Sequence, residues 1–288
     1  MIRKILVPVR GDGKGDNVLA HAAALARRFK AHVEITHCRA RPEDLLPFGV
    51  PIPGFLKKQL LDHASGVADQ EEAGLQEEVR VLAKTLDLDM SVGPGGDAAT
   101  ASWVEEPGRQ VDVIKRHGRL ADLICVAKPD VDRNLGTNTL KAALFNTGRP
   151  VMMCPPTGGS VDEVSATFGA HIAIGWNGSR EASRAVALTL DLIEKAESVT
   201  VLTAGREVNG ASTDDLLDYL KIRGIEAGVK RFVVAHNLGV ELLSHANEAG
   251  ADLLIMGAYG DSHEAETIFG GNTQSVVDNA TSPVILVH

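Results

Sequence analysis

The sequence has 288 residues, a net charge of −9 at pH 7 and a pI near 5.6. This length is typical of one large or two ordinary domains, and because aromatic residues make up only 4% of the chain, any core must be aliphatic. The acidic balance argues against nucleic acid or an anionic membrane as the main partner, and no apolar run approaches the roughly 20 residues that a membrane span needs.

The beginning of the chain and the three cysteines favour a reducing, cytoplasmic environment. Met1 leads within a few residues into a strand-like run and not into a signal peptide. Cys38, Cys125 and Cys154 lie in or beside apolar segments and have neither a CxxC motif nor metal-ligand spacing. We therefore interpret them as small buried hydrophobic residues.

The predicted elements repeat in the same order in two halves of the chain. In the first half, strands are predicted at 4–9, 32–37, 121–126 and 150–154, and helices at 17–30, 62–86 and 106–118. In the second half, strands are predicted at 171–176, 198–203, 233–235, 251–256 and 283–287, and helices at 179–195, 213–223 and 238–249. Both halves contain an Ala-Asp-Leu strand and close on a Pro-Val strand, and residues 155–167 between them are rich in Pro, Gly, Ser and Thr.

This order of elements predicts an α/β fold. The strands are short, apolar and non-alternating, as expected for strands buried on both faces of a parallel sheet. The prediction is two tandem, doubly wound, Rossmann-like domains with five-stranded open parallel sheets, one at 1–156 and the other at 168–288. Residues 45–56, apolar but punctuated by proline and glycine, are interpreted either as a packed connection or as a surface for a partner.

A glycine pattern near the carboxyl terminus is the main functional signal. The apolar strand at 251–256 runs directly into Gly257-Ala258-Tyr259-Gly260, and after nine further residues Gly270 and Gly271 open a helix. Glycines allow main-chain N–H groups to approach a ligand without a Cβ, and a helix start adds unpaired donors and a partial positive charge. The pattern therefore predicts a phosphate-binding site.

The spacing Gly257-x2-Gly260-x9-Gly270, followed by Gly271, resembles the nucleotide-binding signature of the universal stress protein family, G-x2-G-x9-G-[S/T]. The turn at 175–179 and the closing Pro-Val strand match the family as well, so the resemblance covers nearly the whole chain as two fused copies. It implies a stress-response regulatory protein that binds an adenine nucleotide, ATP or AMP, in its C-terminal half.

The resemblance also implies roles for individual residues. Met256 and Gly257 would support the sugar, and Gly257 and Gly260 would let the turn pass close to the ribose and the α-phosphate. The phosphates would receive main-chain N–H groups and one hydroxyl from Gly270, Gly271, Asn272 and Thr273. The adenine pocket would include the end of the second strand at Ala204.

Two positions depart from the family's pattern. Asn177 stands where the family usually has an aspartate at the end of the first strand, so an amide is left to hydrogen-bond the ribose and no charge is left to hold a metal. Gly271 stands where Ser or Thr is more frequent, which removes one hydroxyl contact.

The first half lacks the corresponding glycines. When the sequences of the two halves are aligned, Arg10 stands opposite Asn177, Ala127 opposite Gly257, Asp130 opposite Gly260, Thr137 opposite Gly270 and Leu140 opposite Thr273. Acidic residues in the shorter first-half loop would repel phosphate. The first half is therefore predicted not to bind nucleotide in the family's way, although residues 136–139 could cap a helix and hold a small anion.

The residues around the proposed phosphate site leave open three ways to accommodate the negative charge of the phosphates. No Lys or Arg follows Arg231, and the loop at 261–266 is acidic. Mg²⁺ could bridge phosphates and carboxylates, Arg180 could reach across from the helix after Asn177, or the ligand could be AMP-like.

Three functions remain open at this stage. The first is nucleotide-dependent regulation; the second is slow ATP hydrolysis or self-phosphorylation in the same pocket; the third is a nucleotide-free scaffold for protein partners. No nucleophile–base pair and no catalytic residue can be identified, which favours the first. The two closing strands are expected to be sheet edges that pair with each other around a pseudo-twofold axis, and a homodimer of the whole chain stays possible.

Overall fold

The computed structural model describes residues 1–9, 15–39, 73–91, 93–130, 132–133, 135–156, 164, 166–204, 210–260 and 271–288. The segment 45–56, Arg10, Gly270 and the acidic loop at 261–266 lie outside these residues. Among the described residues, no helix is both long enough and apolar enough to cross a membrane.

The described residues of the first half form five strands. Its elements are β1 (Lys4–Val9), α1 (Gly15–Phe29), β2 (His32–Arg39), helical residues 73–85 (α2), β3 (Thr100–Pro107), α3 (Gln110–Gly118), β4 (Leu123–Ala127), α4 (Thr137–Thr147) and β5 (Val151–Cys154).

The second half repeats this order, except that two helices, α5 and α6, follow its first strand where the first half has one. Its elements are β6 (His171–Trp176), α5 (Arg180–Leu188), α6 (Leu190–Glu194), β7 (Ser198–Ala204), α7 (Thr213–Ile222), β8 (Ala227–Phe232), α8 (Leu238–Glu248), β9 (Leu253–Gly257), α9 (Gly271–Asn279) and β10 (Val284–Val287).

The strands of the two halves form a single sheet. Its order is β3-β2-β1-β4-β5-β10-β9-β6-β7-β8, so each half contributes five parallel strands in the doubly wound order. β5 and β10 pair antiparallel, with Met152 opposite Ile285. The expectation that the closing strands pair with each other is therefore confirmed.

Helices cover both faces of this sheet, as its buried strands require. One core cluster lies under α1, α2, α5, α6 and α7, and the other lies under α3, α4, α8 and α9. Aliphatic side chains such as Ile124 and Ile174 are buried in the strands, and aromatic residues are few, as the composition predicts. Cys125 and Cys154 are buried, whereas Cys38 is half-buried and its thiol donates to the carbonyl of Gly108 at 2.9 Å.

The repeated Ala-Asp-Leu motif has a structural cause. The carboxylate of Asp122 accepts hydrogen bonds from the main-chain N–H groups of Arg3 and Lys4 at 2.8 and 3.0 Å. In the second half, Asp252 accepts from Gly169 and His171 at 3.1 and 3.3 Å. Each aspartate thus fixes the beginning of the first strand of its half beside β4 or β9.

Replacing Asp252 with alanine is expected to lower the free energy of unfolding by about 2 kcal/mol, because two main-chain donors lose a charged acceptor. Urea denaturation measures this loss, and Asp252→Asn, which retains one acceptor oxygen, should lose less. The exposed Asp218→Ala on α7 is the control; a loss no larger than in that variant would contradict the assignment.

Three predicted elements were placed wrongly. The helix predicted at 106–118 begins only at Gln110, and residues 100–107 form the edge strand β3, which was not predicted. The strand predicted at 233–235 lies instead at Ala227–Phe232, with Val233 86% exposed. The helix predicted at 179–195 is interrupted at Thr189, whose hydroxyl donates to the carbonyl of Ala185 at 2.6 Å, an interaction that bends helices.

A half-buried ion-pair cluster joins strands β1, β2 and β3 of the first half to α3. The imidazole of His117 lies between Glu34 and Glu106, with nitrogen–oxygen distances of 2.8 and 2.9 Å, and the ammonium of Lys4 is 2.8 Å from Glu34. Burial alone would raise the pKa of Glu34, but hydrogen bonds from Lys4 and His117 outweigh it and lower that pKa. The ionised carboxylate is therefore stabilised in the folded state.

Because its pKa is lowered on folding, Glu34 stabilises the protein above its unfolded-state pKa, and this contribution is lost as the pH falls through the folded-state value. We expect Glu34→Gln to be less stable than the parent at pH 7 and to lose less stability on acidification to about pH 3.5. Urea midpoints at the two pH values test this. Equal acid losses in the variant and the parent would contradict it, and Glu226→Gln, an exposed carboxylate, serves as control.

Candidate functional site

The candidate site lies where the strand order of the second half reverses. The chain moves outward from β6 to β7 and β8 and then crosses back to β9 on the other side of β6. The carboxyl ends of β6 and β9 are therefore neighbours, with the helices that follow them diverging. Parallel α/β sheets bind ligands in this crevice.

Gly257, the last residue of β9, packs directly against the first turn of α5. A Cβ at this position would lie 2.5 Å from the amide nitrogen of Ala182 and 2.6 Å from the carbonyl carbon of Glu181. Backbone atoms cannot move aside as a flexible side chain can. The strand and helix can approach this closely only with glycine at 257.

The turn after β9 is fixed by two of its own amides. The N–H of Ala258 donates to the carbonyl of Val287 at 2.8 Å, and the N–H of Tyr259 donates to the hydroxyl of Thr273 at 3.3 Å. Tyr259 has φ of +54°, a left-handed conformation that is uncommon for a bulky residue. Thr273 is buried, so its hydroxyl ties the turn to helix α9.

Helix α9 begins at an exposed position. Among the described residues, nothing lies within 4 Å of the position that a Cβ of Gly271 would take, and Gly271 and Asn272 are both exposed. The first-turn amides of a helix have no intrahelical acceptor. An anionic group can therefore approach the main chain at Gly271 without displacing a described side chain.

The other predicted site residues lie at the same edge of the sheet. Asn177 follows β6, is exposed, and accepts a hydrogen bond from the N–H of Ser179 at 3.1 Å. Ala204 ends β7, the neighbour of β6, and Met256 lies near the end of β9. The structure thus brings together all the predicted site residues that it describes; Gly270 lies outside the described residues.

Two helix starts at this edge of the sheet are capped by side chains. The hydroxyl of Ser179 accepts from the N–H of Ala182 at 3.2 Å, and the amide oxygen of Asn237 accepts from Val240 at 3.1 Å. Asn237 also accepts from the hydroxyl of Ser275 at 2.7 Å, which links α8 to α9. This hydrogen bond holds the start of α8 against α9.

Sequence reasoning missed Glu181. This residue is only 3% exposed, and its carboxylate lies against the glycine turn, because a Cβ on Gly260 would be 2.9 Å from its Oε2. The guanidinium of Arg180 donates to Glu181, with Nε and Nη2 at 3.1 and 3.0 Å. Arg180, expected to reach toward phosphate, is thus engaged by a carboxylate. An acidic residue in the first turn of the helix after Asn177 was the available signal.

The corresponding loop of the first half is closed on itself. Asp130 and Leu135 exchange both main-chain hydrogen bonds, at 2.9 and 3.0 Å. Pro129 stands opposite Tyr259 and has no N–H, and Leu140 stands opposite Thr273 and has no hydroxyl. The bond that ties the turn to the helix in the second half is therefore absent between these positions in the first.

A cleft of about 410 Å³ nevertheless lies at the ends of β1 and β4. Its walls include Val9, Val18 and Ala127, with Asp130 at its side. Lys128 also lines it, but its ammonium donates to the carbonyls of Asp278 and Ala280 at 2.7 and 3.0 Å. Lys128 thus caps the end of α9 in the other half, and burial lowers its pKa.

The glycine turn also contacts the first half directly. The ring of Tyr259 packs on Phe145 of α4 with centroids 5.2 Å apart, and the terminal His288 packs on the same ring at 5.0 Å. Burial raises the pKa of Tyr259 to about 12, so its phenol is neutral at pH 7. The described residues contain no cluster of three or more His, Cys, Asp or Glu side chains that could hold a metal ion.

The fold and this site define a class: two fused, doubly wound α/β units that share one sheet, with a glycine turn at the switch point of the second. The model of the universal stress protein family matches residues 170–288. These residues are therefore a universal stress protein domain.

Two solved structures that cover nearly the whole chain support the same fold, and a third, shorter one covers part of the chain. A universal stress protein from Archaeoglobus fulgidus DSM 4304 superposes with a TM-score of 0.72 and 16% identity, over 99% of this chain and 95% of that one. A functionally unknown protein from Pseudomonas aeruginosa PAO1 gives 0.54 and 15%, over 99% and 92%. A universal stress protein from Archaeoglobus fulgidus in complex with dAMP gives 0.31 and 16%, over 41% of this chain and 97% of that one. No match was found among curated proteins.

Proposed function

We propose that the second half, residues 168–288, binds an adenine nucleotide of the AMP or ATP type at the carboxyl ends of β6 and β9. The protein would then act as a nucleotide-dependent regulator in a stress response. The adenine and ribose would lie near Ala204, Asn177 and Met256, and the phosphates would lie between the glycine turn and the start of α9.

The observation that carries this proposal is the open start of α9. No described atom lies within 4 Å of where a Cβ of Gly271 would stand, and α9, the element that follows β9, begins there. The neighbouring turn is held rigidly by α5, Thr273 and Val287. A rigid turn beside a free helix start is suited to a phosphate, because its donors need no rearrangement on binding.

The first half, residues 1–156, is proposed to act as the structural partner of this domain. In its loop, the main-chain groups of Asp130 and Leu135 are hydrogen-bonded to each other. The ammonium of its Lys128 donates to a carbonyl at the end of α9. The proposal includes no catalytic residue, and Arg180, a basic side chain at the start of α5, is engaged with Glu181.

Thermal unfolding with millimolar adenosine, AMP and ATP, with and without Mg²⁺, tests nucleotide binding. We expect AMP to raise the melting temperature and guanosine monophosphate to raise it less. Mass spectrometry of the denatured, freshly purified protein would identify a co-purified nucleotide. A melting temperature that no adenine compound changes would contradict the proposal.

A further inference from the structure

Glu181 places a buried negative charge beside the turn that is proposed to face phosphate. Its side chain is 5% exposed, and its Oε2 lies 2.9 Å from where a Cβ of Gly260 would stand. Burial keeps water from screening this charge as it would screen a surface carboxylate. Any anion that binds at the turn therefore experiences it.

Among the described residues, Arg180 balances this charge. Arg180 donates to Glu181 through Nε and Nη2 at 3.1 and 3.0 Å, while its own side chain is 65% exposed. No other Lys or Arg follows Arg231 in the sequence. A phosphate that recruited Arg180 would have to compete with Glu181 for the same guanidinium.

We propose that Glu181 is a specificity-determining residue of the nucleotide site, and that its carboxylate selects adenine nucleotides of low phosphate charge, AMP rather than ATP. This inference rests on the proposed function. The repulsion between Glu181 and the ligand grows with the number of phosphate charges near the turn, whereas the main-chain donors at Gly271 satisfy a single phosphate as well as several. The carboxylate thus penalises each added phosphate without a compensating donor.

Glu181→Gln tests the inference, because glutamine keeps the shape and removes the charge. We measure the dissociation constants of adenosine, AMP and ATP without metal, and of ATP with Mg²⁺, by calorimetry on the full chain. The expected result is a graded gain: about tenfold for ATP, about threefold for AMP and no change for adenosine. Mg²⁺ neutralises part of the triphosphate, so the gain for ATP should shrink when Mg²⁺ is present.

Glu226→Gln is the matched control. It removes the same unit charge from an exposed residue before β8, at the amino edge of the sheet, opposite the carboxyl ends that form the site. It is expected to leave all four constants within twofold. The melting temperature without ligand shows whether each variant is folded.

The outcomes separate this inference from the function on which it rests. Equal changes for adenosine, AMP and ATP in Glu181→Gln would overturn the specificity role and leave nucleotide binding intact. A weaker affinity for ATP with Mg²⁺ would overturn it as well, since Glu181 would then act as a metal ligand. Absence of binding by the parent and by both variants would overturn the proposed function and the inference together.

Discussion

Replacing Gly257 with valine is expected to destabilise the second half by about 3 kcal/mol and to abolish nucleotide binding as a consequence. The new Cβ would stand 2.5 Å from the nitrogen of Ala182, and both β9 and α5 would have to shift. Thermal and urea unfolding measure the loss.

Gly228→Val is the matched control for this variant. Gly228 lies in strand β8, and its closest neighbours to a new Cβ are 3.9 Å away, an ordinary contact distance. Valine there should be neutral or slightly stabilising, because β-branched residues favour strands. If Gly257→Val unfolded at the same urea concentration as Gly228→Val, the close packing of β9 on α5 would be refuted.

Replacing Gly271 with valine is expected to do the opposite: to weaken AMP binding by about 2 kcal/mol, roughly 30-fold, without lowering the melting temperature. The part of the chain that the structure describes offers no atom within 4 Å of the new Cβ, so we expect folding to proceed normally. The side chain would instead stand between a phosphate and the main-chain donors. Calorimetry with AMP measures the change.

Two further variants give this experiment its controls. Asn138→Val introduces the same side chain at the corresponding, exposed position of α4 and should leave the affinity for AMP unchanged. Gly271→Ser adds a hydroxyl that can donate to phosphate and should recover most of the affinity lost with valine. Binding that survives in Gly271→Val would exclude the start of α9 as the phosphate site.

The contrast between these two glycines changes how the sequence motif is understood. The glycine pattern and the family resemblance predict that both positions face the ligand. The structure shows that Gly257 is required by helix packing, whatever binds nearby, whereas Gly271 is open. A spacing pattern cannot separate these causes, since the atom that would clash with residue 257 belongs to a helix 75 positions earlier in the chain.

Most of the fold was predictable because apolar strands buried on both faces have a strong local signature. The two misplaced strands lie at the edges of the sheet. β3 ends in Glu105, Glu106 and Pro107, and β8 contains Lys230 and Arg231, so neither edge strand has a continuous apolar run. Such charges and prolines protect edges from pairing, and they also hide the strand from pattern analysis.

The candidate site was predictable where it depends on main-chain access and unpredictable where it depends on side-chain pairs. Gly260, Gly271 and Asn177 follow from turn chemistry and strand order. Glu181 does not, because its importance arises from burial against Gly260 and from its pairing with Arg180. The tie between Tyr259 and Thr273 likewise depends on a positive φ that the sequence does not reveal.

The antiparallel pairing of β5 with β10 has a consequence for biosynthesis. Residues 151–154 are finished about 130 residues before residues 284–287 leave the ribosome. During that interval β5, with the apolar sequence Val-Met-Met-Cys, is an unpaired edge strand because β10 has not yet been synthesised. It can therefore pair with strands of other nascent chains. The protein is therefore most vulnerable to aggregation while it is half made, and slower elongation through the second half would lower the yield of native product.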